Sequence, residues 1–483
     1  MVLKTVEQQI WEAAVNHPER EAVISGKERI SYKQLCSSII AARDKYINEL
    51  AIKPSSTILL AAGKQVGFAY AYFGAHLAGI KVVPLDAQTN PDRLQYIIEA
   101  TSASLLIGFE GVETDVREIK LSEFETKDAA LETPEFPSLD TIADILFTTG
   151  TTGAPKGVSL THSNEAAAAR NINTFIGNTS DDKELLALPI SHSFGLGRLR
   201  CCLSIGATII LLGNFANVKK LFRVMGEEQV TGFTMVPASW RYLHKFSGDK
   251  LAEYYDQLKY IELGSAFLSA EEKQEIADLL PNTRVCMHYG LTEASRSTFM
   301  EFHEDKEYLS SVGKASPFTD IQIFDDKGNI VPPGEEGEIC VKGEHVTNGY
   351  LNIPRQDAFF GEHFRTGDWG RITDNGYIFL ASRKKDLINV GGKKVSPDEV
   401  EMQIMKVPGV SDCACIATPD PEGVLGEVVK AFVVKDEEIE IDFETIRKQI
   451  EPRLEYYKLP VVWEWISEIP KTQNGKTRRN LLS

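Results

Sequence analysis

The chain has 483 residues, about three times a typical single-core domain, and its 43% hydrophobic and 25% charged content is that of ordinary globular proteins. This excludes a disordered tail protein, a collagen-like repeat and a disulfide-stapled miniprotein. A formal charge of −17, from 52 basic and 69 acidic residues, repels polyanions; nucleic acid is not an expected partner, and any phosphate ligand needs a local cluster of donors.

In chain order, residues 6–15 predict an amphipathic helix. Lys4, Glu7 and Glu12 break up the apolar residues there, unlike a signal peptide. No run of 18 apolar residues predicts a membrane span, so the cytoplasm is the expected compartment. Residues 21–25 predict a strand, and 31–35 a capped helix start. Strands are predicted at 57–61, 82–85, 105–107 and 208–212, with helical patterns at 67–78 and 91–100. This alternation predicts α/β layers with largely parallel sheets. Residues 113–140 are acidic, contain Pro134 and Pro137, and predict a surface connection.

Beyond residue 310, alternating segments at 321–324, 337–342 and 376–380 predict a small antiparallel sheet or distorted barrel. The charged segment 382–386 precedes a stretch expected to fold alone: helix 397–406, strands 412–418 and 428–434, helix 443–459. The expected α/β organisation is a large N-terminal domain of layered subdomains plus the small distorted β-barrel (1–381), a hinge (382–386) and a small mobile C-terminal α+β domain (387–483). The seven cysteines are odd in number and form no CxxC pair, which predicts buried reduced thiols. The nine histidines include no HExxH zinc signature.

The most informative stretch is 144–158, Asp-Ile-Leu-Phe-Thr-Thr-Gly-Thr-Thr-Gly-Ala-Pro-Lys-Gly-Val. An apolar strand enters a loop of Thr148, Thr149, Gly150, Thr151, Thr152, Gly153 and Lys156. Glycines let backbone N–H groups approach an anion, the threonines add hydroxyl donors and the lysine adds charge, as a polyphosphate requires. Pro155 excludes a Walker A loop. On these residues alone, a phosphate loop and a flexible Gly/Thr turn both remain open.

The segment resembles the phosphate loop of the adenylate-forming superfamily: acyl-CoA synthetases, carrier-protein-loading adenylation domains and luciferases. Thr149 stands where the family usually has Ser. The resemblance continues in family order over nearly the whole chain. His288-Tyr289-Gly290-Leu291-Thr292-Glu293 resembles the Tyr-Gly-x-Thr-Glu motif. It implies Tyr289 stacked on adenine, Thr292 on the α-phosphate and Glu293 as ligand of Mg²⁺. Gly264-Ser265-Ala266 resembles the loop bordering the adenine. Arg365-Thr366-Gly367-Asp368 implies Asp368 as acceptor for the ribose hydroxyls, and 382–386 implies Arg383 on ribose or phosphate and Lys385 as hinge. Residues 470–478 resemble the C-terminal loop whose Gly-Lys carries the catalytic lysine, here Lys476. Gly391 and Gly392 resemble the glycines lining a pantetheine tunnel.

The resemblance implies a two-step reaction. ATP and a carboxylic acid give an acyl-adenylate and pyrophosphate, and the acyl group then passes to the thiol of CoA. The phosphopantetheine of a separate acyl or peptidyl carrier protein, or an amine, is the alternative acceptor. The implied catalytic set is Lys476, His192, Thr292, Glu293 and Lys156, with ATP, Mg²⁺ and CoA as cofactors. Domain rotation between the two half-reactions would exchange Lys476 for the tunnel glycines. Residues 188–195 resemble the segment at the mouth of the acid pocket, where His192 would gate the acid or the thiol. No carboxylate follows the aromatic there, which argues against an α-amino acid. The implied pocket comprises His192, Phe194, Arg198, Met235, Pro237, Trp240, Gly264 and Tyr289. Arg198 and Arg200 lie two apart on one helix, so at most one should face a ligand; an internal ion pair is the alternative for both.

Overall fold

The computed structural model describes residues 2–482 except 90, 113, 149–154, 384–385, 387, 391–392, 423–424, 426, 437–438, 455 and 473–474. The chain divides into two compact units. The first comprises Met1–Leu309, Gly313–Asp320 and Val341–Phe364; the second comprises Ser310–Val312, Ile321–Cys340 and Arg365–Ser483.

Local signals set the first elements. Helix Val6–Asn16 starts where the Thr5 hydroxyl accepts a bond from the Gln8 amide, and it buries Val6, Ile10, Trp11 and Ala14 on one face. Helix Tyr32–Asp44 starts at a capping box: Ser31 and Gln34 each take the other's backbone N–H.

Two sheets carry the first unit. One runs in the order Gly349–Tyr350, Lys156–Thr161, Ile142–Thr148, Lys81–Asp86, Thr57–Ala62, Leu105–Ile107, Glu118–Ile119. Its inner pairs are parallel, while Lys156–Thr161 returns antiparallel beside Ile142–Thr148. The other runs Lys314–Ala315, Thr298–Glu301, Arg284–Tyr289, Tyr260–Leu263, Gly232–Met235, Lys183–Leu186, Thr208–Leu211, Glu21–Ser25, Glu28–Ser31, parallel inside and antiparallel at both edges. Parallel strands covered by helices bury both faces, hence their unbroken Val, Ile and Leu runs.

Parallelism has a consequence for the site. Met235, Leu263 and Met287 are lateral neighbours, so the loops after their strands leave from one sheet edge. Lys183–Leu186 is parallel to the same set. One edge therefore presents the segments that hold His192, Pro237, Gly264–Ala266 and Tyr289–Glu293.

Among its described residues the second unit contains three sheets, one of them the two-stranded pair Ile388–Val390 and Lys393–Val395. Strands Asp320–Phe324, Glu336–Lys342, His363–Ile372 and Ile378–Arg383 belong to a half-barrel. Strands Val410–Pro419, Glu427–Lys435 and Val462–Trp465 form a three-stranded sheet, whose core is shared with helices Pro397–Ile404 and Phe443–Ile450. Pro397 opens its helix at a position where a missing N–H is harmless, behind the Ser396 cap.

Two expectations change. The helix expected over 443–459 ends at Ile450; short 3₁₀ turns follow at Glu451–Arg453 and Tyr456–Lys458, since Pro452 lacks the N–H needed to continue. The connection expected at 113–140 is pinned to the body by Glu118–Ile119 and by the buried Ile119, Leu121 and Phe124. All seven cysteines are free and buried. Among the described residues, no helix is long and apolar enough to cross a membrane.

Candidate active site

Thr148 and Lys156 face each other in register at the mouth of the loop whose Thr149, Gly150, Thr151, Thr152 and Gly153 lie outside the described residues. Beneath the loop's entry strand lies a buried ionic cluster. Asp144 is engaged by Arg200, by the Tyr72 hydroxyl at 2.8 Å and by His76 Nε2 at 3.3 Å. His76 Nδ1 lies 2.7 Å from Glu7, which also faces His162 at 3.4 Å. Burial disfavours a charged imidazole, but Asp144 and Glu7 overcome it and push the His76 pKa up to about 10. Glu7, His76 and His162 have metal-like spacing, yet both His76 nitrogens already face carboxylates, so the cluster is an internal salt network.

The turn after Arg284–Tyr289 brings Thr292 and Glu293 together. The Thr292 hydroxyl lies 3.5 Å from that of Ser193. Glu293 is buried; its Oε1 accepts a 2.7 Å bond from the Tyr350 hydroxyl, and its backbone carbonyl accepts from the Thr347 amide at 2.8 Å. Tyr289 is half-buried at the strand end. His288, on the opposite face, packs inward. Its ring meets Phe194 edge-on at 4.7 Å, and its Nδ1 lies 2.7 Å from Glu262. Burial holds its pKa below the usual value, although Glu262 opposes this. His288 is therefore packed behind the strand end, against Phe194 and Glu262. The same packing explains Gly264: a Cβ there would lie 2.1 Å from the His288 ring. Ser265 adopts a left-handed φ of 71° and is exposed, with Ala266 half-buried beside it.

His192 caps helix Ser193–Ser204, and the spacing Pro189–His192–Gly195 has a physical cause. The chain doubles back so tightly that a Cβ on Gly195 would sit 2.3 Å from the Pro189 carbonyl oxygen. Partial desolvation and then the Arg93 guanidinium hold the His192 pKa below its ordinary value, with Asp86 opposing, so its imidazole is neutral at pH 7.

Arg198, expected in the acid pocket, is corrected. It is fully buried, and its guanidinium is taken up by Glu184, with Glu262 at 3.4 Å. Arg200 is likewise occupied, by Asp144 and by Glu165 at 3.0 Å. Both follow the internal ion-pair alternative, because a guanidinium this deep needs carboxylates around it. Phe194, Met235, Pro237 and Trp240 are all buried, Met235 completely.

The remaining residues lie in the second unit. Asp368 is buried, opposite Arg383 in register, and its amide donates to the Thr366 hydroxyl at 3.0 Å. Lys385, Gly391 and Gly392 lie outside the described residues. Lys476 is exposed on a tight hairpin. Thr472 and Lys476 bond each other's backbone, through Thr472 N to Lys476 O at 2.8 Å and Lys476 N to Thr472 Oγ1 at 3.1 Å, with Gly475 at a φ of 79°. Arg479, just beyond, anchors this segment to Asp398 and Glu401.

The α/β scaffold, with an aromatic at one strand end and a buried carboxylate in the turn after it, is of the adenylate-forming class. Residues 10–351 match the AMP-binding enzyme family and 399–476 match the AMP-binding enzyme C-terminal domain, so the chain belongs to the AMP-binding enzyme family. It is 30% identical over 472 residues to a feruloyl-CoA synthase of Amycolatopsis sp, covering 95% of this chain and 94% of that one. Among solved structures, ATP-bound MatB from Rhodopseudomonas palustris is 25% identical with a TM-score of 0.90, covering 100% of this chain and 98% of that one. The O-succinylbenzoate coenzyme A synthetase (MenE) of Bacillus subtilis, in complex with ATP and magnesium ion, is 26% identical with a TM-score of 0.88, covering 98% of each chain.

Tyr350 and Glu262 were missed in the sequence. Tyr350 sits in a Gly-Tyr pair without chemistry of its own, and Glu262 is hidden inside a strand.

Proposed function

We propose that this protein is an AMP-forming acid–thiol ligase. It activates a carboxylic acid other than an α-amino acid as the acyl-adenylate and passes the acyl group to CoA. The observation that carries this reading is the fixed Glu293 carboxylate, placed on the same unit as Thr292 and the Thr148/Lys156 loop mouth. Mg²⁺ binds hard oxygen ligands and is commonly held by one or two carboxylates plus substrate phosphates. Glu293 fits that pattern, because Tyr350 occupies Oε1 alone. When bound, Mg²⁺ would neutralise phosphate charge.

The chain's own residues do the rest. Lys156 and the loop donors hold the β- and γ-phosphates, Tyr289 stacks on adenine and Asp368 accepts from the ribose hydroxyls. Thr292 donates to an α-phosphate oxygen. The acid carboxylate attacks the α-phosphorus, the bond to the bridging oxygen breaks, and pyrophosphate leaves with that electron pair. Lys476 donates to the charge that grows between acid and phosphate oxygens. A rotation about Lys385 then withdraws Lys476 and brings up Gly391 and Gly392 beside the thiol arm; the CoA sulfur attacks the acyl carbon and AMP leaves. The exclusion of α-amino acids is supported by the carboxylates behind the Ser193–Ser204 helix: Glu184 and Glu262 are already paired with Arg198 and Arg296. Feruloyl-CoA synthase and oxalate–CoA ligase among the relatives are consistent with plain acids and CoA. We place the reaction in the cytoplasm.

Mass spectrometry of the protein with Mg·ATP, CoA and pooled aliphatic, aromatic and dicarboxylic acids tests this. An acyl-CoA is expected. Acyl-adenylate without acyl-CoA would move the acceptor to a separate carrier protein or an amine. Intact ATP with the whole pool, together with no Mg·ATP binding, would overturn the reading.

A further inference from the structure

Between the phosphate-loop stem and the turn bearing Glu293 runs a short segment that none of the assigned roles uses. Its backbone is stitched to both sides. Toward the turn, Val346 bridges Ala294 and the Thr347 amide donates to the Glu293 carbonyl at 2.8 Å. Toward the stem, Gly349 and Tyr350 pair with Ser159 and Val158, and the Leu351 amide donates to the Gly157 carbonyl at 2.7 Å. The Thr347 hydroxyl donates to the Ser159 carbonyl at 2.6 Å. The segment thus sets the spacing between strand Lys156–Thr161 and Glu293.

The Tyr350 side chain connects the two groups chemically. Its hydroxyl donates to Glu293 Oε1 at 2.7 Å, and its ring lies under the Lys156 ammonium, 5.3 Å from Nζ to the ring centre. A carboxylate with one oxygen fixed by a donor keeps the other oxygen for a cation and loses the freedom to swing away. A ring face attracts an ammonium without neutralising it, so Lys156 is aimed while its charge and donors stay available to phosphate. Carboxylate and ammonium are therefore held by opposite ends of one rigid side chain and not by each other. A direct Glu293–Lys156 salt bridge would consume both.

We propose that Tyr350 is a positioning residue that holds the metal-binding carboxylate and the phosphate-binding lysine apart and in register, its hydroxyl serving Glu293 and its ring serving Lys156. This rests on the reading of Glu293 as the Mg²⁺ ligand.

The two ends of the side chain can be separated. Calorimetry would follow Mg²⁺ binding to the full-length protein saturated with a non-hydrolysable ATP analogue, and analogue binding alone in EDTA. Tyr350→Phe keeps the ring and loses the hydroxyl. It should raise the Kd for Mg²⁺ by about 10–100-fold, the usual effect of removing a partner of a metal ligand, with analogue affinity in EDTA unchanged. Tyr350→Leu should weaken analogue binding in EDTA as well. Thermal melting checks that both variants fold. Glu293→Gln distinguishes the failures. If Glu293→Gln weakens Mg²⁺ binding while Tyr350→Phe leaves it unchanged, the positioning role is overturned and the metal assignment stands. If Glu293→Gln leaves Mg²⁺ binding unchanged, the metal assignment fails and the positioning role falls with it.

Discussion

In the first unit, charges on two strands are buried and paired: Asp144 with Arg200 and His76, and Glu184 with Arg198. In the second unit, Lys476 stands exposed on a hairpin closed by Thr472. The contrast separates two ways of placing a charge. A buried pair is fixed in geometry, because moving one member leaves the other desolvated and alone. An exposed lysine carries no desolvation penalty, which would suit a group that enters and leaves a site. On the proposed mechanism, Lys476 is the group that would change between half-reactions, and it lies outside the buried core.

The largest effect expected from breaking this contrast is on stability. Arg198→Met leaves Glu184 buried with only neutral partners, Tyr260 and Cys202. It should cost about 3–5 kcal/mol in urea denaturation. A loss below about 1 kcal/mol would show that the buried network does not hold the site's floor.

Lys476→Ala should do the opposite. Its effect on unfolding should stay within about 0.5 kcal/mol, as for an exposed residue. Adenylate formation, followed as pyrophosphate release, should fall by about 10²–10³, or roughly 3–4 kcal/mol. Thiol transfer from a supplied acyl-adenylate should be largely spared. Equal losses in both half-reactions would contradict withdrawal of Lys476 after the first.

Gly264→Ala sharpens the comparison locally. The new methyl would lie 2.1 Å from the His288 ring, an overpacking expected to cost about 1–3 kcal/mol. In a His288→Ala background the cost should vanish. A double-mutant cycle with no coupling would mean that another neighbour selects glycine here.

What was legible in the sequence was local or periodic. The Ser31 cap and the parallel strands follow from residue patterns. The fate of Arg198 was not legible, because its partner Glu184 lies on a strand and Glu262 on another, and only the assembled sheet brings them to one guanidinium. Tyr350 escaped for the same reason: its contact to Glu293 spans 57 residues, its contact to Lys156 spans many more, and both depend on a strand pairing that no short-range pattern encodes. The end of the helix at Ile450 is not set by apolar periodicity. The apolar period carried on past Pro452, and the missing N–H decided the matter.

The last effect is the pH dependence of the first unit's buried network. The pKa of His76 is raised from an ordinary value near 6.5 to about 10 in the folded chain. A group with a raised folded pKa contributes its full stabilisation below the unfolded pKa and loses it as pH rises through the folded one. Between pH 7 and 9 the folded protein holds the His76 proton and the unfolded chain does not. The His76 contribution should therefore fall by about 1.4 kcal/mol per pH unit across that window. Other groups titrate there too; Lys273, for example, is pushed down to about 8 by burial and works in the opposite sense. The quantity to measure is thus the difference in unfolding free energy between the parent and His76→Gln at pH 7, 8 and 9. A gap that narrows as pH rises shows a charged imidazole tying Glu7 to Asp144. A constant gap would mean that His76 is neutral in the folded chain and that Asp144 is charge-paired by Arg200 alone.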